Sequence, residues 1–569
     1  MQTNATAGRS GEQPGILQVQ WFFRIAIAVC ALVDCWICRF SMNADGVSYL
    51  DMGDLYWKGD WHAALNTYWS PLYSWLTGLL FWVTRPAMRW EYPAVHLLNF
   101  AILMAALLCF EFFWRELLAT REDGGWSGLP LRHAWILGYL LFACVHFEAD
   151  ELAIVTPDVI VAALVYLASG MMLRFTAGRL QAASALALGI VLGVGYLAKA
   201  AMFPFAIVLL ITMLAVTLKR HGRKRLFGFT LIGFLAVSLP FVAALSLHEH
   251  RLTWGDAATM NQGWYVNHVT PRVRHWQGDG PGHANPLHPS RKLLAWPEVY
   301  EFGTPTAVTY PISLNVAYWY AGIDSSFHLL REIKVFSVNL RLQGNYVFKV
   351  FGILTAVLLM MFLSAGQVKE SCRRLLKFWP VLVPVVAVLL MYAMVYWEQR
   401  FTVAIVVVIC GAIAASSFEK VDEKWSLERL CAANIVLAGL LIGWILPVLV
   451  LTYSYHDGVL AAQQVPITGQ LQIMGLKPDN RVALIGDGFE ESYWARLGKF
   501  RIVAEVPHTL ETGDSATAFW NSNPEGQQIV LNTLKSTGAK AVIAIKPPAV
   551  LPMGWVKIGN TDHAVYFFR

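Results

Sequence analysis

Eleven apolar runs, each close to the length of a bilayer crossing, recur along the chain at 21–40, 94–113, 134–147, 158–173, 181–198, 201–218, 226–247, 346–366, 379–397, 402–418 and 430–452. A helix spans hydrocarbon with about 20 predominantly apolar residues, because every backbone polar group must be satisfied within the segment. So many runs in 569 residues predict an α-helical polytopic membrane protein. Only 14% of residues are charged, against roughly 25% in soluble domains, so a purely soluble fold is excluded. Residues 1–20 are polar, and no small-residue cleavage site follows the first run, which therefore reads as a retained anchor.

The cations orient the chain. Lys and Arg gather after the second, fourth, sixth, eighth and tenth runs, most densely at Lys219-Arg220-His221-Gly222-Arg223-Lys224-Arg225. Basic short loops stay in the cytoplasm, which puts the N-terminus inside. Residues 71–83 are apolar but too short to cross, and counting them as a span would invert every later loop. They are expected to lie on the outer surface. The outer face then holds loops 41–93 and 248–345, the short loop 147–157, the surroundings of Lys199, and Glu398-Gln399-Arg400. It also holds a C-terminal domain, 453–569, beyond a membrane domain of 1–452.

That tail reads as a small α/β unit, with strands at 481–486, 501–506, 540–545, 555–558 and 564–568 and helices at 489–497 and 526–536. None of the eight cysteines falls in the outer segments, so these fold without disulfides. Gly486-Asp487-Gly488 lacks the rest of a nucleotide-binding fingerprint and reads as a tight turn.

Loop 41–93 concentrates acids and aromatics, and ionisable groups held at a membrane mark functional sites. Asp45 follows the end of the first run. A partly desolvated carboxylate there can take a proton from a hydroxyl or amine as general base; it can equally cap a helix starting near Val47. Asp51 and Asp54 share a helix face that reads as solvated rather than as a metal pair. Asp150 and Asp158, in Phe147-Glu148-Ala149-Asp150-Glu151 and Thr156-Pro157-Asp158, can orient a sugar or bind a divalent cation with Asp45. Glu148 and Glu151 read as a polar connector, and Asp158 can also cap the next helix.

Lys199 stands far from the basic loops. It suits a lipid phosphate or snorkels to the interface. Arg400 is either a second phosphate ligand or a partner of Glu398. Tyr49, Tyr265, His268 and Tyr310 complete the candidate sugar- or acceptor-binding set, although aromatics here also suit an interfacial belt. The histidines of the long loop lack HxxxH or HExxH spacing, a weak basis for a metal.

Taken in order, these residues resemble the GT-C superfamily of membrane glycosyltransferases, nearest to bacterial relatives of protein O-mannosyltransferases and of the aminoarabinose transferase that modifies lipid A. The likeness rests on Ala44-Asp45-Gly46-Val47-Ser48-Tyr49, Gly59-Asp60-Trp61, Ser70-Pro71-Leu72, Thr156-Pro157-Asp158, Gly195-Tyr196-Leu197-Ala198-Lys199 and Glu398-Gln399-Arg400. It covers the first seven runs well and the last four loosely. The resemblance implies a sugar donor on a polyprenyl phosphate, Asp45 as the essential acid of the first outer loop, and Lys199 near the lipid phosphate. Many members carry two adjacent acids where this chain has Asp45 alone, which leaves both a metal-free mechanism and a divalent cation open. The acceptor would be a lipid, protein or glycan, and no nucleic-acid partner is expected.

Two rivals belong to other classes. A lipid-linked glycan flippase predicts ionisable residues along a path through the spans, yet the spans hold few acids, Asp34 in the first among them. A non-catalytic scaffold would have little use for Asp45 and Lys199. A polymerase or ligase of lipid-linked glycans stays within the enzyme class.

Overall fold

The computed structural model describes residues 7–120, 131–219, 223–267, 291–302, 308–363, 368–417, 423–452, 462–508 and 514–568. Each apolar run coincides with a helix: α1 (Ala7–Ile37), then Glu91–Ala119, Leu131–Glu148, Asp158–Thr176, Ala182–Ala198, Met202–Lys219, Lys224–His248, Leu329–Leu363, Trp379–Met394, Val403–Ser417 and Glu423–Leu440. Eight segments among the described residues are long and apolar enough to cross a membrane. Of the other predicted runs, Ala182–Ala198 is shorter and Leu131–Glu148 has polar ends, while most side chains of 346–366 lie outside the described residues. The helix that carries that run, Leu329–Leu363, begins inside the segment expected to be loop.

Packing inside the bundle relies on small residues where backbones touch, as expected when lipid supplies no hydrophobic drive between helices. At Gly189 a Cβ would lie 2.0 Å from Thr230 O, and at Gly233 one would lie 2.4 Å from Leu186 O. Ala182–Ala198 and Lys224–His248 therefore meet backbone to backbone. Glu111, an acid inside the second span, is 2% exposed and is held by Arg24 at 2.5 Å and Tyr139 at 2.6 Å.

After α1 the chain turns into α2 (Ala44–Lys58), which ends on left-handed Gly59. The helix Leu72–Thr84 crosses it at Gly53 and Gly78. Its 13 residues reach about 20 Å at 1.5 Å per residue, short of the roughly 30 Å of hydrocarbon. Leu79, Trp82 and Val83 are exposed, and Trp82 stacks on Trp57. An apolar face of this kind suits the expected position on the membrane surface.

The tail supplies five strands, including one edge, of a seven-stranded sheet ordered β1-β2-β4-β3-β5-β7-β6. Strands β3 (Arg481–Gly486), β4 (Arg501–Pro507), β5 (Ala541–Ile545), β6 (Trp555–Lys557) and β7 (His563–Phe567) stand where the apolar runs put them. The other two do not come from the tail. β1 (Arg291–Ala295) and β2 (Glu298–Glu301) belong to the long loop between spans, and β2 pairs antiparallel with β4 through Tyr300 and Glu505. The unit therefore extends beyond 453–569. Strands this short carry too little periodicity to announce themselves, and their pairing spans some two hundred residues. After β3 the chain turns through Gly486, φ 138°, into a short helix, Gly488–Glu491, capped by Asp487, whose side chain accepts the Phe489 amide.

His563 on β7 is 6% exposed, and neither ring nitrogen has a hydrogen-bond partner among the described residues. Burial pushes its pKa down from 6.5 to about 4. The unfolded chain then binds more protons than the folded one between these values. Stability from the neutral ring is complete above pH 6.5 and declines as pH falls towards about 4. Thermal melting of the full-length His563→Leu variant should accordingly depend less on pH between 7 and 5 than wild type, by up to about 1.4 kcal/mol per unit of pH. Parallel melting curves for the two proteins would remove His563 from the acid response.

Candidate functional site

Asp45 lies in the first turn of α2, with Asn43 at the N-cap. The helix starts earlier than Val47, so Asp45 does not cap it. Asn43 Oδ1 instead accepts the Val155 amide at 2.9 Å, which ties the start of α2 to the 149–157 loop.

Four side chains from three other segments converge beside it. Arg400 Nη2 approaches Asp45 Oδ2 at 3.2 Å, Arg400 Nη1 lies 3.5 Å from Asp158 Oδ2, and Arg400 Nε donates to Glu398 Oε2 at 2.5 Å. Lys199 Nζ donates to Asp158 Oδ1 at 2.5 Å and sits 3.7 Å from the centre of the Phe401 ring. Asp158 also accepts from Thr156 Oγ1 at 2.8 Å. These contacts fix Asp158 as the acid that holds both cations in place. Asp158 opens its helix immediately after Pro157, Lys199 breaks the chain between two spans, and Arg400 begins another. All four positions are therefore helix ends on one face of the bundle.

Burial is the largest influence on both titrating groups outside the spans. It raises the Asp45 pKa, and the Arg400 guanidinium only partly pulls it back. It lowers the Lys199 pKa, with Asp158 opposing that effect and Arg400 adding to it. The result is a carboxylate more basic than usual beside two cations.

Aromatics surround this cluster. Tyr49 is buried edge-on against Trp69 and Tyr73 and lies close enough to Asp45 and Asp158 to feel their charge. Tyr265 stacks on Tyr396 with ring centres 4.0 Å apart, and the Tyr396 hydroxyl bonds Glu398. Tyr68 and Tyr265 both stand within electrostatic reach of Asp45. Tyr68, Tyr396 and Phe401 were not among the predicted site residues; their proximity to the adjacent acids and to Arg400 was the only available signal.

Other candidates are placed elsewhere. Tyr310 is 2% exposed in the core of the sheet domain, where its hydroxyl donates to Glu505 at 3.1 Å. Asp150 occupies a left-handed turn, φ 55°, within electrostatic reach of Cys38 at the end of α1. Glu151 is no mere connector, since it is buried against His146 Nδ1 at 2.5 Å. His268 lies outside the described residues. Among the described residues no group of three or more His, Cys, Asp or Glu is arranged to hold a metal ion.

Asp51 and Asp54 are also not a solvated face. Arg496, 1% exposed, reaches from the C-terminal domain to Asp51 at 2.7 Å, Asp54 at 2.8 Å and Glu91 at 2.7 Å. Lys499 adds contacts to Asp54 and Glu91 at 3.3 and 3.0 Å. Thr309 donates its amide and hydroxyl to Asp51, both at 2.9 Å. Burial alone would raise the Asp54 pKa, but Arg496 and Lys499 hold it well below the usual range. This network clamps the helix that carries Asp45 to the sheet domain.

No sequence-family profile matches the chain, and no curated protein matches it by sequence. Its fold is similar to the crystal structure of ArnT from Cupriavidus metallidurans bound to undecaprenyl phosphate, with TM-score 0.51 and 12% identity over 95% of this chain and 97% of that one. The apo form of ArnT gives TM-score 0.52 and 12% identity over 96% and 98%. An oligosaccharyltransferase from Archaeoglobus fulgidus in the apo form covers 91% of this chain and 69% of that chain at TM-score 0.49 and 14% identity. The ArnT alignments run almost end to end, so the likeness of fold takes in both the helical bundle and the C-terminal sheet domain.

Proposed function

We propose that this multi-pass membrane protein transfers a sugar from a polyprenyl-phosphate donor to an acceptor, with inversion at the anomeric carbon. The observation that carries this reading is the contact between Asp45 and Arg400, made in a cluster where Arg400 and Lys199 both face Asp158. A base and two phosphate-binding cations thereby share one site. Arg400 and Asp158 also stand at the edge of an apolar crevice lined by Val161, Val165, Phe205, Val388 and Ile405. A charged head beside an apolar groove matches the chemistry of a polyprenyl phosphate. The binding of undecaprenyl phosphate by ArnT supports the same assignment.

In the proposed step an acceptor hydroxyl or amine attacks the anomeric carbon opposite the phosphate. The bond from that carbon to the phosphate oxygen breaks, and its electron pair leaves with polyprenyl phosphate. Asp45 takes the acceptor proton, for which its raised pKa suits it. The departing phosphate gains one negative charge, and Arg400 and Lys199 stabilise it. Asp158 and Glu398 keep these cations aimed and charged. Half-buried Tyr265, stacked on Tyr396, provides an aromatic wall near Asp45 for the sugar or acceptor, and buried Tyr49 backs the site. The basic loops at the opposite helix ends support a reading in which this face lies outside the cytoplasm, on the periplasmic side of an inner membrane.

The flippase alternative gains no support from Glu111, whose charge is matched inside the bundle by Arg24. The test is release of polyprenyl phosphate by the purified protein from a panel of radiolabelled polyprenyl-phosphate sugars with candidate acceptors. Lys199→Met is expected to lower kcat by about 10²–10³, the usual cost of removing one donor from a developing anion. Binding of undecaprenyl phosphate without turnover of any donor, once acceptors had been varied, would overturn the reading in favour of transport or scaffolding.

A further inference from the structure

His96, in the second turn of the helix Glu91–Ala119, is fully buried, and both of its ring nitrogens point at backbone carbonyls. Nδ1 lies 2.8 Å from Leu152 O, and Nε2 lies 2.9 Å from Ser41 O. A carbonyl oxygen only accepts, so each contact requires an N–H on the ring. A neutral imidazole carries one N–H and turns a lone pair towards the other carbonyl, whereas the imidazolium carries two. No backbone amide among the described residues donates to either carbonyl, and the ring is the partner each one finds. Cys38 Sγ stands farther off, 3.8 Å from Nδ1.

The two carbonyls belong to the segments that deliver the reaction site. Ser41 lies in the turn between α1 and α2 that leads into Asp45, and Leu152 lies in the 149–157 loop that leads into Asp158. Asn99, one turn along the same helix, reaches that loop with a longer contact from Nδ2 to Ile154 O at 3.5 Å, while its Oδ1 accepts the Tyr73 hydroxyl at 2.7 Å. His96 ties both approaches to one spanning helix. A charge on a buried ring is costly without partners. The carbonyls supply two, and acids gather near them: Asp34, 6% exposed on α1, and Asp150 in the loop both lie within electrostatic reach of Cys38. Cys35, the other thiol here, donates to the His96 backbone carbonyl at 3.3 Å.

We infer that His96 is a positioning residue for the transfer: as an imidazolium it pins the approach to Asp45 and the approach to Asp158 onto one helix, so that the base and the acid holding both cations keep their spacing. The assignment rests on the transferase reading above. Loss of either N–H frees one approach, and a misplacement of about 1 Å at a reacting centre costs about 10²-fold in rate. The effect falls on kcat more than on donor affinity, because Glu398 holds Arg400 independently of either approach.

The test uses the full-length protein in nanodiscs with nitrogen-15-labelled histidine rings, the His96 signals being those that vanish in His96→Gln. Two protonated ring nitrogens at neutral pH are expected, and one bare nitrogen overturns the assignment. His96→Gln, which keeps a single donor group, should lower kcat for polyprenyl phosphate release by about 10²-fold while undecaprenyl phosphate affinity stays within about threefold. Wild-type kcat in that variant overturns the positioning role, as does a loss confined to donor affinity. Where the variant does not fold, wild type decides: kcat should fall, at constant donor affinity, over the pH range in which the spectrum loses the second ring N–H. A kcat indifferent to that loss overturns the assignment. Wild-type protein that releases polyprenyl phosphate from no donor would sink the transferase reading, and the positioning role with it. Turnover that depends on Asp45 but not on His96 would sink only the positioning role.

Discussion

Under the proposed mechanism, replacing Asp45 by Asn is expected to lower turnover by about 10²–10⁴-fold, the range that positioned proton transfer contributes. Binding of undecaprenyl phosphate should survive, since Arg400 and Lys199 are untouched and Arg400 loses a competing anion. The two measurements separate a base from a structural acid. A carboxylate needed only to hold Arg400 would weaken donor binding together with turnover. Near-normal turnover in a folded Asp45→Asn protein would refute the assignment. Wild-type activity should also decline as pH falls, with an acid limb above the ordinary carboxylate range, because burial raises Asp45. Arg400 opposes that rise, so in Arg400→Gln whatever activity remains should show the limb moved to still higher pH.

Arg496→Met should destabilise the protein by about 3–5 kcal/mol, the cost of stripping one partner from a buried ionic network. Arg496 is 1% exposed between Asp51, Asp54 and Glu91; without it Lys499 still contacts Asp54 and Glu91, while Asp51 keeps Thr309 but loses its cation contact. The loss has a pH signature. In wild type the Asp54 pKa is depressed, so its contribution is present above the unfolded carboxylate value and lost as pH falls through the folded one. In the variant the crowded acids favour protonation, which makes the variant relatively more stable at low pH. The gap in melting temperature between the two proteins should therefore narrow on acidification. Equal melting at neutral pH, or a gap independent of pH, would show that Arg496 does not clamp α2.

Several parts of this architecture are legible from local sequence. The spans could be read because a membrane helix satisfies its own backbone, so its signal is contained in one segment. The strands β3 and β5 could be read because buried parallel strands are continuous apolar runs, as in Val482-Ala483-Leu484-Ile485 and Ala541-Val542-Ile543-Ala544-Ile545. Asp45, Lys199 and Arg400 stood out as charges at the ends of apolar runs on a common side. Arg496 gave no such sign. Its partner Glu91 lies 405 positions away, and an arginine in a soluble α/β domain looks like ordinary surface. Asp51 and Asp54 were misread for the same reason, since their spacing defines a helix face but not what covers it.

The sequence by itself determined the order of the apolar helices, the end of the bundle at which the charged site residues gather, and most strands of the sheet domain. These properties depend on hydrophobicity and charge summed over a single segment. Only the tertiary structure decided that Asp158 joins Lys199 to Arg400, that Tyr310 serves the core, that two loop strands extend the sheet, and that Arg496 locks α2 in place. Ion pairing and burial depend on which segments approach within a few ångströms and exclude water. That is a relation between distant parts of the chain, and no single stretch of sequence contains it.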